Sequence, residues 1–545
     1  MTGFFVSSDK RMIEIFPEEQ HIPTFCRPPA AEDQREYLVD GLFRVWDGPL
    51  QEIYSPLPLR RGRELLPRLL GRAPQLDRVS ALAALDAAGT AFDEGRGRWP
   101  TCGSAERLRA LRDLRAGLVA RRDEILTLLM WEVGKSLAEA AGEFDRTLSY
   151  FDETCADLQR RARDSATLVA REGIAARFGR APLGVTLCLG PFNYPLNETF
   201  ATLLPALAMG NTVVLKPPKI GVLLFRPLLG LFREIFPPGV VNVIYGEGDE
   251  LLPSLLETGR VDVLAFIGSG SVAQKLVRAH PRPLRLTAVL GMGAKNAAVV
   301  LPGADLDRAV RECLLGSLAF NGQRCTALKI LFVHRSLAET FIGKFLEAMA
   351  RIRQGMPWEK GLWITPLAEP ERPAYLHELL TDATAQGARI CNSDGGVTTG
   401  SFFAPALIYP VTPAMRLFHE EQFGPLVPVV PVDDFAPVDT FLQDSDYAQQ
   451  ISLFSNDPAE LAPLIDALTN RVARVNLNCK CQRGPDSFPF TGCKDSAVGT
   501  LAVSEALDVF SRPTLVAQRD GRDDRQLLDT LAKDGRSRFL AQEER

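Results

Sequence analysis

The stretch NGQRCTALKI holds the residue of this chain with the clearest chemical potential. Cys325 stands there beside a cation, Arg324, where a polar run gives way to an apolar segment. A nucleophilic thiol must be partly ionised and reachable, and a neighbouring guanidinium or a backbone donor promotes ionisation. A single cysteine is more often a buried structural residue. Only five histidines occur in the chain, and none forms a nucleophile motif with this thiol. Cys325 is therefore a candidate nucleophile only if distant residues complete a site.

The other nine cysteines do not indicate a metal site. Cys479, Cys481 and Cys493 are close in sequence, but they form no CxxC pair and have no histidine beside them. The remaining cysteines are scattered, so reduced thiols are expected rather than a disulfide framework.

Bulk composition narrows the class of protein. A chain of 545 residues with 46% hydrophobic and 24% charged residues predicts two or three globular domains. The net charge of −5 argues against nucleic-acid binding. The apolar runs are too short for a spanning helix, and the first twenty residues do not have the pattern of a signal peptide. We expect a cytoplasmic protein that binds a small molecule, with neither nucleic acid nor membrane as a partner.

Two stretches of alternating strands and helices must position Cys325. The first runs from PLGVTLCLGPFNYP to VDVLAFIGSG, and the second from LTAVLGMGAKNAAVVL to ARVNLN, which includes the cysteine. Alternation of this length predicts parallel α/β sheets, whose ligands bind at the carboxyl ends of the strands. Residues 75–160 show helical spacing. The charged segment after residue 518 predicts a solvated helix or a loose tail.

Five segments in order carry a resemblance to a known family. They are LGPFNYPLNETFATLLPALAMGNTVVLKPPK, FIGSGSVAQKL, NGQRCTAL, HEEQFGPLVPVV and FPFTGCKDSAVG. This set resembles the aldehyde dehydrogenase superfamily over roughly residues 37–517. Within it, NGQRCTALKI and NLNCKCQRGPDSFPFTG are similar to the branch of non-phosphorylating, NADP-dependent glyceraldehyde-3-phosphate dehydrogenases.

The resemblance implies an α/β fold of the aldehyde dehydrogenase type. It has two Rossmann-like parallel α/β domains and a small β-rich arm used for oligomerisation, so a homo-oligomer, a dimer or tetramer, is expected. The implied regions are an N-terminal tail and edge segment at 1–60, a cofactor-binding domain at 61–163 and 182–290, a catalytic domain at 291–475, a bridging arm at 164–181 and 476–518, and a charged C-terminal tail at 519–545.

The resemblance also assigns the chemistry. Cys325 attacks an aldehyde carbonyl and gives a thiohemiacetal whose oxyanion needs preorganised donors. Asn193 matches the family's oxyanion asparagine, acting with the Cys325 backbone N–H, although alone it would be read as a turn residue. Collapse of the oxyanion sends hydride to the nicotinamide cofactor and leaves a thioester.

The expected cofactor is NADP, with NAD possible. The chain has no GxGxxG loop, which fits this family because it holds its dinucleotide differently. Lys216 matches the family lysine that touches the adenosine ribose. At Lys219, NAD-preferring relatives often carry a glutamate, and a cation there suits a 2′-phosphate. The alternative for Lys219 is a solvent-facing lysine.

The remaining cofactor contacts come from three loops. Gly246 permits close backbone approach, and Ser269 after Gly268 can bind pyrophosphate at a helix start. Glu421 and Phe423 match the family pair at the nicotinamide ribose and ring. Ordinary turn chemistry is the alternative for the glycines, and a polar loop beside a core aromatic is the alternative for the pair. The full predicted cofactor set is Phe192, Lys216, Lys219, Gly246, Gly268, Ser269, Glu421 and Phe423.

The predicted substrate is D-glyceraldehyde 3-phosphate, oxidised to 3-phosphoglycerate in glycolysis. A phosphorylated aldehyde needs guanidinium groups that bind an anion, and Arg324 and Arg483 are the candidates. Either could instead belong to a structural ion pair.

One departure from the family pattern concerns the base that activates water for thioester hydrolysis. Most relatives place a glutamate four residues before the lysine of this segment, where Gly291 stands here. Gly293 stands at the other position where an acid occurs. Glu421 or Glu198 could replace the base. A slow hydrolysis step predicts a burst of reduced cofactor, and a glutamate restored at 291 or 293 is expected to speed turnover.

Two other readings of the departure stay open. The acyl group could pass to coenzyme A, which would make the protein a CoA-acylating or broad-specificity aldehyde dehydrogenase. Alternatively, the protein could be a catalytically weak member with a binding or structural role.

Overall fold

The computed structural model describes residues 13–28, 30–165, 167–533 and 537–540. The N-terminal part begins with short strands and continues into helices. Its strands are β1 (Glu32–Asp33), β2 (Glu36–Val39), β3 (Leu42–Val45), β4 (Leu50–Tyr54), β5 (Leu59–Arg61), β6 (Glu64–Leu66) and β7 (Leu69–Pro74). The helices that follow are α1 (Arg78–Phe92), α2 (Arg98–Thr101), α3 (Ser104–Val119), α4 (Arg122–Val133) and α5 (Leu137–Ser165).

The first predicted alternation of strands and helices is present. Its strands, preceded by two that belong elsewhere, are β8 (Leu168–Arg171), β9 (Ile174–Pro182), β10 (Val185–Leu189), β11 (Thr212–Lys216), β12 (Val241–Val243), β13 (Val263–Ile267) and β14 (Thr287–Gly291). Its helices are α6 (Asn197–Ala208), α7 (Leu229–Ile235), α8 (Gly248–Leu256) and α9 (Gly270–Ala279).

The second alternation is longer and less regular. Its strands are β15 (Ala297–Val300), β16 (Ile330–His334), β17 (Arg353–Gln354), β18 (Leu362–Ile364), β19 (Arg389–Ile390), β20 (Thr398–Thr399), β21 (Phe402–Phe403), β22 (Ala406–Tyr409), β23 (Leu426–Val432), β24 (Tyr447–Ala448), β25 (Gln450–Phe454) and β26 (Arg474–Leu477). Its helices are α10 (Leu306–Leu318), α11 (Arg335–Met349), α12 (Arg372–Ala385), α13 (Arg416–His419), α14 (Ala436–Asp444) and α15 (Pro458–Leu468). The chain closes with β27 (Cys493–Lys494), β28 (Ala497–Val498), α16 (Val503–Val509), β29 (Ser511–Arg519) and α17 (Arg522–Lys533).

Two sheets form the frame of the molecule. The first has the order β28-β14-β13-β10-β11-β12-β2-β3, and its five inner strands run parallel. The second has the order β19-β22-β23-β16-β15-β25-β26, parallel except for β19 at one edge. Strands β10 and β11 are buried along their whole length, as expected for strands covered by helices on both faces. The predicted α/β fold is confirmed.

The third sheet is small and antiparallel, with the order β29-β9-β8. It lies within the segments predicted as the arm, but β28, from the same predicted region, pairs instead with β14 in the first sheet. The N-terminal edge segment supplies β2 and β3 to that same sheet. The oligomeric role of the arm stays a prediction.

The charged C-terminal segment differs from the prediction of a solvated helix or a loose tail. Helix α17 buries Leu528 and Ala532, and Asp529 pairs with the buried Arg177 of β9 at 3.0 Å. The segment folds back because its few apolar residues share one helix face, a pattern that the surrounding charges obscure in the sequence. Among the described residues, no helix is both long and apolar enough to cross a membrane.

Candidate active site

A cavity of about 1230 Å³ receives side chains from the ends of both large sheets. Cys325 lies on its wall, as do residues 51–56 of the N-terminal region, which the sequence had placed in a tail. Ten of the twelve predicted site residues share this wall: Phe192, Asn193, Lys219, Gly268, Ser269, Arg324, Cys325, Glu421, Phe423 and Arg483. Residues that are distant in sequence therefore meet at the carboxyl ends of parallel strands.

The loop before Cys325 is fixed by an unusual backbone turn. Phe320, Asn321 and Gly322 have φ values of 48°, 55° and 71°. Gly322 is required there, because a Cβ would lie 2.6 Å from the Gly424 carbonyl oxygen. The Asn321 amide ties the turn to Thr365, whose backbone N–H donates to Asn321 Oδ1 at 3.0 Å. This preorganised turn delivers the thiol to the cavity.

The electrostatic surroundings of the Cys325 thiol work in opposite directions. Burial raises the pKa of the thiol and is the largest influence, while the ammonium of Lys329 and the guanidinium groups of Arg324 and Arg146 lower it. The Glu421 carboxylate raises it further. The thiol of the free protein is therefore mostly protonated at neutral pH.

Alkylation of Cys325 by iodoacetamide is expected to accelerate as the pH rises through and beyond the usual range for a thiol, because only the thiolate reacts and the pKa is raised. Mass spectrometry of the modified peptide over a pH series measures this rate, with glutathione as the reference thiol. A rate that levels off at a lower pH than that of glutathione would contradict the prediction.

Asn193 follows β10 and is almost fully buried. Its Nδ2 donates to the Gln323 carbonyl at 2.9 Å, two residues before the nucleophile. An amide nitrogen carries two N–H donors, so a second one remains for an oxyanion. The geometry is compatible with the predicted role.

A buried lysine that the sequence did not single out holds this arrangement together. Lys135 is fully buried, and its Nζ lies 2.5 Å from Glu143 Oε2. The ammonium also lies 3.4 Å from the ring centre of Tyr194 and 4.6 Å from that of Phe320. These rings belong to the loops of Asn193 and Cys325, so one cation links both loops. In the sequence, Lys135 and Glu143 resemble ordinary solvated charges of a helical region.

Lys135→Met is expected to lower the free energy of unfolding by about 3–5 kcal/mol, because it leaves the buried Glu143 carboxylate without its cation. Chemical denaturation measures the change. The double variant Lys135→Met/Glu143→Gln is expected to recover part of the loss. Equal stability of the wild type and the single variant would contradict the prediction.

The two predicted substrate arginines have different partners. Arg483 forms a buried ion pair with Glu198 and lies 3.4 Å from Asp486, and burial lowers its pKa to about 10. This matches the alternative of a structural ion pair. Arg324 instead donates to the Gly316 carbonyl at 2.8 Å, without spending its charge on a carboxylate.

Arg146 is a further cavity residue that the sequence did not reveal. It donates to Asp486 with two nitrogens, at 2.9 Å and 2.6 Å. Arg146 and Arg483 are thus matched by Asp486 and Glu198, and this cluster of four has no net charge. Its members are more than 330 residues apart in sequence, so only the fold brings them together.

The predicted cofactor residues are divided between the cavity wall and its surroundings. Phe192 and Phe423 meet edge to face with ring centres 5.9 Å apart. Lys219 is 69% exposed, with Nζ 3.7 Å from Glu247 Oε1. Ser269 occupies the position before the first residue of α9 without capping it through its side chain. These four positions leave polar and aromatic groups available to a dinucleotide.

Two members of the predicted cofactor set lie off the wall. Lys216 is buried at the end of β11, and burial lowers its pKa to about 8. Gly246 has a φ of 125°, and a Cβ there would lie 2.8 Å from Leu251 and 3.1 Å from the Leu76 nitrogen. The backbone turn and packing account for this glycine, in agreement with the alternative of ordinary turn chemistry.

The ion pair of Glu421 with Lys329 lies next to the nucleophile. Lys329 Nζ is 2.5 Å from Glu421 Oε1 and donates to the Cys325 carbonyl at 2.9 Å. Neither Gly291 nor Gly293 offers a side chain to the same region of the wall. Within the described ranges, no group of histidine, cysteine, aspartate and glutamate side chains could hold a metal ion.

The fold and the cavity define the class of protein. Residues 67–516 match the aldehyde dehydrogenase family, and the chain belongs to this family of oxidoreductases that act on aldehydes. It is 32% identical to the NADP-dependent glyceraldehyde-3-phosphate dehydrogenase of Streptococcus equinus over 76% of this chain and 86% of that protein. It is also 32% identical to the enzyme of that name from Arabidopsis thaliana, over 61% of this chain and 66% of the relative.

Solved structures agree with these relatives. The NADP complex of NADP-dependent glyceraldehyde-3-phosphate dehydrogenase from Bacillus halodurans superposes with a TM-score of 0.80 at 29% identity. The match covers 90% of this chain and 100% of that chain. Lactaldehyde dehydrogenase superposes with a TM-score of 0.81 at 25% identity, over 90% of this chain and 100% of the other. The predicted resemblance to the superfamily and its glyceraldehyde-3-phosphate branch is confirmed.

Proposed function

We propose that the protein oxidises a phosphorylated aldehyde, with D-glyceraldehyde 3-phosphate favoured, and uses NADP as the hydride acceptor. The observation that carries the proposal is the meeting of Cys325, Asn193 and the predicted cofactor residues in one cavity. The relatives named for glyceraldehyde-3-phosphate and NADP support the substrate and the cofactor.

The proposed reaction uses groups that already lie together. The Cys325 sulfur adds to the aldehyde carbon, and the Asn193 amide with the Cys325 backbone N–H stabilises the oxyanion. NADP, when bound, accepts hydride from that carbon. Lys219 and Ser269 are placed to bind its phosphates, and Phe192 and Phe423 to pack against its rings. Water then hydrolyses the resulting thioester.

A phosphate group on the substrate is supported by Arg324, whose guanidinium is not bound to a carboxylate. Arg146 adds a second cation on the same wall, although Asp486 already engages it. Arg483 contributes less than the sequence predicted, because Glu198 and Asp486 already balance its charge.

The proposal is tested by following reduction of NADP⁺ and NAD⁺ with glyceraldehyde 3-phosphate and with the neutral aldehyde propanal. We expect faster reduction of NADP⁺ and a lower KM for the phosphorylated substrate. Arg324→Gln should raise the KM for the phosphorylated aldehyde and leave that for propanal unchanged. Equal KM values for both aldehydes in the wild type would reject the phosphorylated substrate.

Coenzyme A as the acyl acceptor is the second candidate, favoured by the absence of a side chain at Gly291. The assay is therefore repeated with and without coenzyme A and with inorganic phosphate. Acyl-coenzyme A as the product would establish this alternative, whereas 3-phosphoglycerate formed at the same rate without it would exclude it.

Lys219→Glu is expected to reverse the cofactor preference, because a carboxylate repels a 2′-phosphate and can accept hydrogen bonds from free ribose hydroxyls. The loss in kcat/KM for NADP⁺ should be about 10-fold to 100-fold, corresponding to roughly 1.4–2.7 kcal/mol. Steady-state kinetics with both cofactors measures it, and Lys275→Glu on exposed α9 is the control. An unchanged preference would show that Lys219 does not meet the 2′-phosphate.

A further inference from the structure

The glycine at position 293 leaves space that a carboxylate occupies. A Cβ at Gly293 would lie 2.9 Å from Glu421 Oε2 and 2.9 Å from the Tyr447 ring, too close for an unshifted structure. A Cβ at Gly291 would lie 3.4 Å from Ile267, an ordinary van der Waals contact. The two glycines therefore differ: position 291 has room for a side chain, and position 293 is kept clear for Glu421.

Two donors orient the Glu421 carboxylate within this space. Lys329 Nζ at 2.5 Å and the Ala294 backbone N–H at 3.2 Å both reach Oε1. Oε2 is consequently the oxygen that faces Gly293 and the cavity. A carboxylate held at one oxygen and presented through the other is well arranged to accept a proton from water.

The same ion pair places the carboxylate beside the nucleophile. Lys329 bonds the Cys325 carbonyl at 2.9 Å, so a single ammonium joins Glu421 to the backbone of Cys325. The influence of Glu421 on the pKa of the thiol agrees with this proximity. The other acid on the wall, Glu198, is held in its ion pair with Arg483.

We propose that Glu421 is the general base that activates water for hydrolysis of the Cys325 thioester. This inference rests on the proposed function, because it requires an acyl-enzyme at Cys325. It assigns to Glu421 a proton-transfer role in addition to the predicted contact with the nicotinamide ribose.

The step is balanced in atoms and charge. The water oxygen adds to the thioester carbon while one of its protons passes to Glu421. The carbon–sulfur bond then breaks, its electron pair stays on sulfur, and the carboxylic acid departs. The proton on Glu421 returns to the thiolate, which restores both groups.

The test uses 4-nitrophenyl acetate, since an ester acylates a cysteine without any cofactor. The burst of nitrophenolate reports acylation of Cys325, and the later steady rate reports hydrolysis of the thioester. Loss of the ribose contact therefore cannot be mistaken for loss of the base. Two variants carry the test, Glu421→Gln and Gly293→Ala. Their matched controls are Glu420→Gln, whose carboxylate is bound by Arg416 and Tyr375, and Gly291→Ala.

Glu421→Gln should keep the burst and slow hydrolysis at least about 100-fold, the usual effect of removing a general base. Gly293→Ala should slow it by about 10-fold to 100-fold, because its methyl group displaces the carboxylate. Both controls should hydrolyse the acyl-enzyme like the wild type. Hydroxylamine, which attacks a thioester without a base, should release the acyl group equally fast from wild type and Glu421→Gln.

Hydrolysis at the wild-type rate in Glu421→Gln, or the same rate in Gly293→Ala and Gly291→Ala, would overturn the inference. If Glu421→Gln does not fold, the two glycine variants decide the matter. Failure of hydroxylamine to release the acyl group would also overturn it, because the defect would then be one of active-site shape. If mass spectrometry finds no acyl group on wild-type Cys325, it is the proposed function that fails.

A gain-of-function variant completes the test. Gly291→Glu/Glu421→Gln should recover hydrolysis, because the room at position 291 allows a carboxylate to approach the thioester from that position. Gly293→Glu/Glu421→Gln should not recover it, because a side chain at 293 collides with Tyr447. The sequence treated both glycines as equivalent sites for a restored glutamate, and the structure separates them. Recovery by the second variant alone would contradict the assignment.

Discussion

Cys325→Ala is expected to abolish aldehyde oxidation, with a loss in kcat of about 10⁴-fold or more, as found when a covalent nucleophile is removed. The reason is chemical. Without the sulfur no thiohemiacetal forms, and the aldehyde carbon lacks the oxyanion that expels hydride. Absorbance of the reduced nicotinamide after aldehyde addition measures the loss, and the acyl adduct should disappear from the mass spectrum of the protein.

The matched control is Cys493→Ala. Cys493 is an exposed free thiol in β27 and is not on the cavity wall. Its removal should leave kcat and KM unchanged. Substantial oxidation by the Cys325→Ala protein would remove the basis of the proposed mechanism, since another thiol or a non-covalent route would then carry the reaction.

Asn193→Ala is expected to lower kcat by about 10²-fold to 10³-fold, the usual effect of deleting one oxyanion donor. The amide is held before the substrate arrives by its bond to the Gln323 carbonyl, so it need not reorganise during the reaction. The acylation burst with 4-nitrophenyl acetate should slow in parallel, because ester and aldehyde form similar oxyanions.

Binding of NADPH, followed by its fluorescence, separates the oxyanion role of Asn193 from a loss of shape. We expect the dissociation constant for NADPH to be unchanged in Asn193→Ala, with the loss confined to chemical steps. A variant that binds NADPH poorly but acylates at the wild-type rate would assign Asn193 to the cofactor site instead.

Much of the fold was predictable because its signals are local. Strand β10 is a short apolar run that ends at Gly190-Pro191, and β13 is another that ends at Gly268-Ser269. The prediction of parallel strands and helices followed from these runs and from the helical spacing between them. The fold class was therefore read correctly without any knowledge of contacts.

The C-terminal segment shows where local signals failed. Leu528 and Leu540 are buried, although most of their neighbours in sequence are charged. The partner that buries them is the arm sheet, where Arg177 donates to the Leu540 carbonyl at 3.3 Å. A composition-based reading cannot foresee such a partner, because it lies more than 350 residues away.

The sequence by itself determined the nucleophile, the oxyanion asparagine and the family, because these depend on residue types in short, ordered motifs. Only the tertiary structure decided that Lys135 links the two catalytic loops, that Glu198 and Asp486 balance Arg483, and that Glu421 fills the space beside Gly293. These are contacts between side chains far apart in the chain, and their energies depend on burial and distance. Neither quantity exists until the polypeptide has folded.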